Sequence, residues 1–158
     1  MSHSQIILQS DLSRIGKTTI HFYNEDTNYR LTSKRKICAW LSLVLEQEKK
    51  KAGDISYIFC SDDFLLKLNK QFLKASYLTD VITFDYTENN RISGDIFISI
   101  DRVKENAKLY KQTYFQEMIR IMLHGVLHLC GYKDKTEKEI QKMREKENHY
   151  LQKFDIIN

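Results

Sequence analysis

The sequence predicts an α+β domain in which a mixed sheet of about four strands is sandwiched by helices. Element order carries that reading: strand, helix, strand, helix, hairpin, then three helices. The link between the third and fourth strands is so short that they form an antiparallel pair. A further indication is the stretch from Thr113 to Cys130, where Met118, Ile119, Met122, Leu123, Val126 and Leu127 supply a broad apolar surface. Such a helix is central and largely buried.

From the N-terminus, Thr18 to Tyr23 alternates β-branched and aromatic residues and reads as the first strand. Between Lys34 and Lys50, Ile37, Trp40, Leu41, Val44 and Leu45 recur at helical spacing, and Gly53 lies beyond the end. The run Lys49-Lys50-Lys51 falls in its last turn, where cations suit the helix dipole. Ile55 to Cys60 is almost continuously apolar, as in a strand covered on both faces. Ser61 or Asp62 caps a short helix bearing Phe64, Leu65, Leu68 and Phe72.

The third strand spans about Val81 to Tyr86, Asn89-Asn90 makes the turn, and the fourth strand spans about Ile92 to Ile100. Gly94 inside that strand marks a bulge, or the close approach of another backbone or a ligand. Asp101 caps a helix reaching about Tyr110. After the central helix, Thr136 and Glu139 form a capping box that opens the last one. Its apolar positions are Ile140, Met143, Tyr150 and Phe154.

At 158 residues the chain reads as a single domain, residues 1–158. A domain of that size buries roughly 70% of its unfolded surface. Apolar content of 42% and charged content of 29% fit a soluble globular protein. No apolar run approaches the roughly 18 residues of a membrane helix. The opening Met1-Ser2-His3-Ser4-Gln5 lacks the charged and apolar regions of a secretory signal. Cys38, Cys60 and Cys130 are odd in number and widely spaced, which argues against a disulfide framework and for the cytoplasm. The net charge of +4 permits a polyanionic partner without requiring one.

Chemistry concentrates at the end of the central helix, in HGVLHLCGYKD, residues 124 to 134. His124 and His128 are four residues apart on one helical face, with Cβ atoms about 5–6 Å apart, close enough to share a metal ion. Gly131 follows the apolar run where a helix would end in a left-handed residue. The turn then brings Asp134 alongside. Two imidazoles and a carboxylate, with a position open for water, are the ligand count of a catalytic zinc site. Cys130, two residues past His128, points away from that face. Metalloproteases carry Glu, their general base, directly after the first His. Here that position is Gly125, so peptidase chemistry is disfavoured.

The string HGVLHLCGYKD resembles the signature of the YbeY family of bacterial single-strand-specific metallo-endoribonucleases. Leu68-Asn69-Lys70-Gln71-Phe72 followed by Leu78-Thr79-Asp80-Val81-Ile82-Thr83-Phe84, and Ser93-Gly94-Asp95-Ile96-Phe97-Ile98-Ser99, resemble the same family in the same order. The likeness runs from about Ile55 to the C-terminal helix. It implies a three-layer arrangement with the metal-bearing helix against the sheet, and the GDIFIS strand beside the cleft. It also implies metal-dependent cleavage of single-stranded RNA by activated water, in maturation of the 16S ribosomal RNA 3′ end and ribosome quality control. The ribosome or its small subunit would be the partner. Two positions depart from the family pattern. Asp134 stands where the third ligand is most often His, and Leu73 where many members carry an Arg.

Zinc suits this ligand set best, one ion per chain, with manganese or iron(II) as alternatives. Glu117, two turns before His124, is a candidate to accept an imidazole N–H, or to pair with Arg120. Asp95 is a second such candidate. Lys74, Arg91, Lys133 and Lys135 are candidate phosphate contacts. Competing readings are an RNA-binding ribosome-assembly factor with a structural metal, and a metallohydrolase acting on another phosphoester.

Overall fold

The computed structural model describes residues 19–74 and 76–157. The start of the first expected strand at Thr18, the N-terminal segment and His3 lie outside the described residues. Within them the chain forms β1 (Thr19–Asn24), α1 (Lys34–Gln47), β2 (Lys51–Cys60), α2 (Asp62–Phe72), β3 (Val81–Asp85), β4 (Arg91–Ser99), α3 (Ile100–Leu109), α4 (Tyr114–Leu129) and α5 (Glu137–Ile156). The strand order is β1-β2-β4-β3. β1, β2 and β4 run parallel and β3 is antiparallel to β4, so the sheet is mixed, as expected.

Strand alternation sorts the sheet into two faces. Ile55, Tyr57 and Phe59 of β2, with Ile92, Ile96 and Ile98 of β4, join the main core. That core also holds Trp40 and Leu41 of α1, Val103 of α3, Met122 and Val126 of α4, and Tyr150 and Phe154 of α5. The other face buries Ile58, Cys60, Ile82 and Phe97 beneath Leu65 of α2. The three layers are therefore four helices, the sheet, and one helix. Burial on both faces is why Ile55 to Cys60 of β2 reads as an almost continuous apolar run.

α4 packs tightly on the sheet at its glycine. A Cβ on Gly125 would meet Ile96 Cγ2 at 2.8 Å and Cδ1 at 3.1 Å. Gly94 is the reciprocal device, since a Cβ there would lie 2.5 Å from the Phe84 carbonyl and 2.9 Å from Leu129. Of the two roles open to Gly94, close approach is the one seen. The register shift lies instead in β2, between Ala52 and Ile55. Tyr57 pins α4 further by donating from its buried hydroxyl to the Met122 carbonyl at 2.9 Å.

Several boundaries differ from expectation. α1 stops at Gln47, and Lys49 adopts a left-handed φ of 58° while Lys50 N–H bonds the Leu45 carbonyl. Lys51 N–H bonds the Asn90 carbonyl and opens β2, four residues before Ile55. The three lysines thus lie outside the helix rather than in its last turn, and Gly53 is inside a strand. Pairing with the hairpin overrides the helical preference of those residues. The cap of α3 is Ser99, whose hydroxyl accepts from Arg102 N–H, not Asp101. Asp101 instead accepts from Asp62 N–H at 2.9 Å, tying α3 to α2. Ser61 takes the cap of α2. Asn89 and Asn90 turn the hairpin with φ of 51° and 65°, the twisted turn that matches the strands.

Candidate metal centre

Thr113 and Gln116 form a capping box at the start of α4, and Thr136 and Glu139 form one at the start of α5. Between the two helices the chain turns at Gly131, φ 107°. Gly131 N–H bonds the His128 carbonyl and Tyr132 N–H reaches back to the Leu127 carbonyl. This is the Schellman closure, in which glycine takes the left-handed position at little cost. It directs the following residues back across the face of α4.

The turn places Asp134 Oδ2 3.2 Å from His124 Nε2 and 3.3 Å from His128 Nε2. The two Nε2 atoms are 2.9 Å apart, and one ligand atom from each of the three residues lies within 4.8 Å of the others. His128 Nδ1 faces the Tyr132 carbonyl at 2.9 Å, and His124 Nδ1 faces Glu147 Oε2 at 3.5 Å. Both acceptors require a proton on Nδ1, which leaves each Nε2 presenting its lone pair. Two lone pairs and a carboxylate oxygen converging on one point repel unless a cation lies between them. The donor set and its orientation fit a divalent metal.

The wall behind His124 is charged. Arg120 donates to both oxygens of Glu117 at 2.7 Å and to Glu147 Oε1 at 2.8 Å. Glu117 is fully buried and Glu147 nearly so. Burial works against a charged His124, but the Glu147 carboxylate, with Asp134 and Asp80 behind it, outweighs burial and holds the imidazole above its ordinary value. Burial alone would raise Glu147; His124 and Arg120 reverse that and hold it below the usual carboxylate range. Two carboxylates, Glu117 and Glu147, face the one guanidinium and Asp134 faces His124, and the surplus negative charge of the three favours a cation at the centre.

Of the residues singled out from sequence, His124, His128 and Asp134 come together in space. Glu117 is bonded to Arg120, and the carboxylate that touches an imidazole is Glu147. Asp95 follows Gly94 in β4 and so takes the sheet face opposite α4, where Tyr86 donates to it at 3.2 Å. Arg91 donates to the Ala52 carbonyl from the hairpin end of β4. Lys135 lines a cavity of about 350 Å³ together with Leu73, Asp80, Val81 and the two histidines. Lys74 is exposed beside Leu73. Lys133 lies in a separate surface depression with Tyr132 and Lys142. Burial pushes the Cys130 thiol up to about 12, with Glu48 adding to it, so the thiolate a metal needs is not favoured. Of the other histidines, His21 stacks on Tyr23 in β1 and His149 is exposed.

Glu147 and the Tyr132 carbonyl were not among the residues expected here. Glu147 had a signal: it lies four residues after Met143 and three before Tyr150, on the apolar stripe of the last helix. A carboxylate there must find a buried partner. Glu48, just past α1, supports the turn from the other side. It accepts from Tyr132 at 2.5 Å, from Lys146 at 3.1 Å, and from Tyr150.

Residues 19–155 match a family profile described as Endoribonuclease YbeY. Among curated proteins of that name, one from Cytophaga hutchinsonii is 51% identical, over 84% of this chain and 94% of its own. Another, from Parabacteroides distasonis, is 48% identical over 84% and 93%. The fold is similar to the solution structure of TM1509 from Thermotoga maritima, with a TM-score of 0.62 and 26% identity, covering 86% of this chain and 89% of that one.

Proposed function

The chain belongs to the YbeY endoribonuclease family, and on that premise we infer that it is a metal-dependent endoribonuclease cutting single-stranded RNA. Convergence of both Nε2 lone pairs and Asp134 Oδ2 on one point is the observation that carries the metal dependence. His124, His128 and Asp134 are the ligands, and zinc is the metal that two neutral imidazoles and a carboxylate suit best. Manganese and iron(II) remain compatible with the same donors. A bound ion supplies Lewis acidity at a phosphoryl oxygen and lowers the pKa of water.

The chain's own residues set up that chemistry. Glu147 and the Tyr132 carbonyl hold the Nδ1 protons and so fix both imidazole tautomers. Asp134 brings a negative charge that a third imidazole would not. Leu73, 55% exposed, presents no cation to the cavity beside the ligands, and Lys135 supplies the positive charge there for the strand. Gly125 is turned into the sheet against Ile96, so no glutamate base fits after the first histidine. The setting of the activity is 3′-end maturation of 16S ribosomal RNA and ribosome quality control in the cytoplasm, with the ribosome or its small subunit as partner.

A substrate panel tests this. Single-stranded RNA, the same sequence as a duplex, single-stranded DNA and a small phosphodiester are incubated with enzyme, with and without chelator. Cleavage confined to single-stranded RNA, abolished by chelation and restored by metal, is expected. Equal turnover of the small phosphodiester would overturn the RNA assignment. Binding of RNA without any metal-dependent cleavage would favour an assembly factor instead.

A further inference from the structure

A second cavity opens on the other side of the ligands. It has a volume of about 640 Å³ and shares only His124 and Asp134 with the Leu73–Lys135 cavity. It runs between α4 and α5 to Tyr110, at the end of α3. Roughly 300–1,000 Å³ is the range of sites that enclose a small organic ligand. The metal centre is therefore a saddle between two hollows, not the floor of one.

The lining of this second hollow divides by chemistry. On the inner wall, Glu117 and Glu147 are held by Arg120, whose guanidinium bonds to both. On α5, Ile140, Arg144 and Asn148 succeed one another at four-residue spacing and so present one face to the cavity. Among the described residues the side chains of Arg144, Asn148 and Tyr110 form no hydrogen bond or ion pair. A free cation, a free amide and an aromatic ring 57% exposed thus border an apolar lining provided by Ile140 and Met143.

We propose that this cavity binds one unstacked nucleotide of the RNA strand, next to the bond being cut. The idea rests on the endoribonuclease reading and adds the path of the strand across the ligands. The inner carboxylates repel phosphate, so the backbone stays at the mouth, on Arg144. The base turns inward to stack on Tyr110 and lie over Ile140 and Met143, with Asn148 facing its polar edge. Base–aromatic stacking is tolerant of sequence, and amide contacts add a modest preference. A base held in a double helix cannot enter, because A-form pairing keeps it in the stack.

The test measures binding and cleavage separately. Binding is read by fluorescence anisotropy with the metal-loaded enzyme and a labelled eight-nucleotide 2′-O-methyl phosphorothioate strand, which resists cleavage. Cleavage is read as KM and kcat on the unmodified strand. Arg144→Ala and Tyr110→Ala alter exposed side chains, and Lys138→Ala removes an exposed α5 charge outside this cavity. Arg144→Ala is expected to raise Kd and KM roughly ten-fold and to reduce the salt slope by about one. Tyr110→Ala is expected to raise Kd about ten-fold with the salt slope unchanged. Binding and KM for both variants within two-fold of Lys138→Ala would overturn the proposal. Because the binding arm needs no turnover, an enzyme that binds through Arg144 and Tyr110 yet cuts nothing would support this site and overturn only the nuclease reading.

Discussion

Glu147 of α5 faces Nδ1 of His124 on α4 at 3.5 Å while its other oxygen holds Arg120 at 2.8 Å. One carboxylate therefore orients an imidazole proposed to bind the metal and anchors the guanidinium behind it. Replacing Glu147 by Gln keeps the shape and removes the charge. Metal affinity is expected to fall about 10–100-fold, the usual effect of losing an outer partner of a ligating histidine. Titration against a chromophoric chelator measures it. Glu117→Gln leaves the His124 contact in place, so its effect on metal affinity should be much smaller.

Glu48 makes a different prediction, about pH. Burial raises its pKa, but hydrogen bonds from Tyr132, Tyr150 and Lys146 outweigh burial and hold it below the usual 4.5. A carboxylate depressed in the folded state adds stability that is present above its unfolded pKa and is lost as pH falls through the folded value. Glu48→Gln should therefore cost about 1–3 kcal/mol at pH 7. That difference should shrink as pH falls below 4.5 and through the lower folded value, where wild type loses the same contribution. Urea melts at a series of pH values from 7 downward check this, and a cost that did not shrink as the pH fell would contradict it.

Gly125 and Ile96 set the distance between α4 and the sheet. Alanine at 125 gains about 1 kcal/mol in helix propensity but drives a Cβ into Ile96, and overpacking of this kind costs about 1–3 kcal/mol. Net destabilisation is expected from thermal melts. The double variant Gly125→Ala/Ile96→Ala should cost less than the sum of its parts, because the second change removes the clash. Strict additivity would mean that the contact does not limit packing.

How far the metal centre is legible in sequence follows from how local it is. His124, His128, Gly131 and Asp134 fall within eleven residues, and helical geometry plus one glycine turn brings them together without further help from the fold. Glu147 reaches His124 only because α5 packs back on α4, a tertiary fact that its place on an apolar stripe merely hints at. Asp95 illustrates the converse. It sits beside Gly94 in a stretch whose sequence resembles the family's, yet strand alternation turns its side chain to the far face. The displaced boundaries share a cause: Ser99 replaces Asp101 as cap, and Lys51 joins a strand, because neighbouring strands and helices claim backbone groups that sequence patterns treat as free.

The central claim is that His124, His128 and Asp134 hold one catalytic metal ion. It is tested most directly by measuring metal content and cleavage of a single-stranded ribosomal RNA fragment for wild type and His128→Ala. Near one equivalent of metal in wild type, with both metal and cleavage lost in the variant, is the predicted result. Equal cleavage by the two proteins, or a wild type that binds no metal, would contradict it.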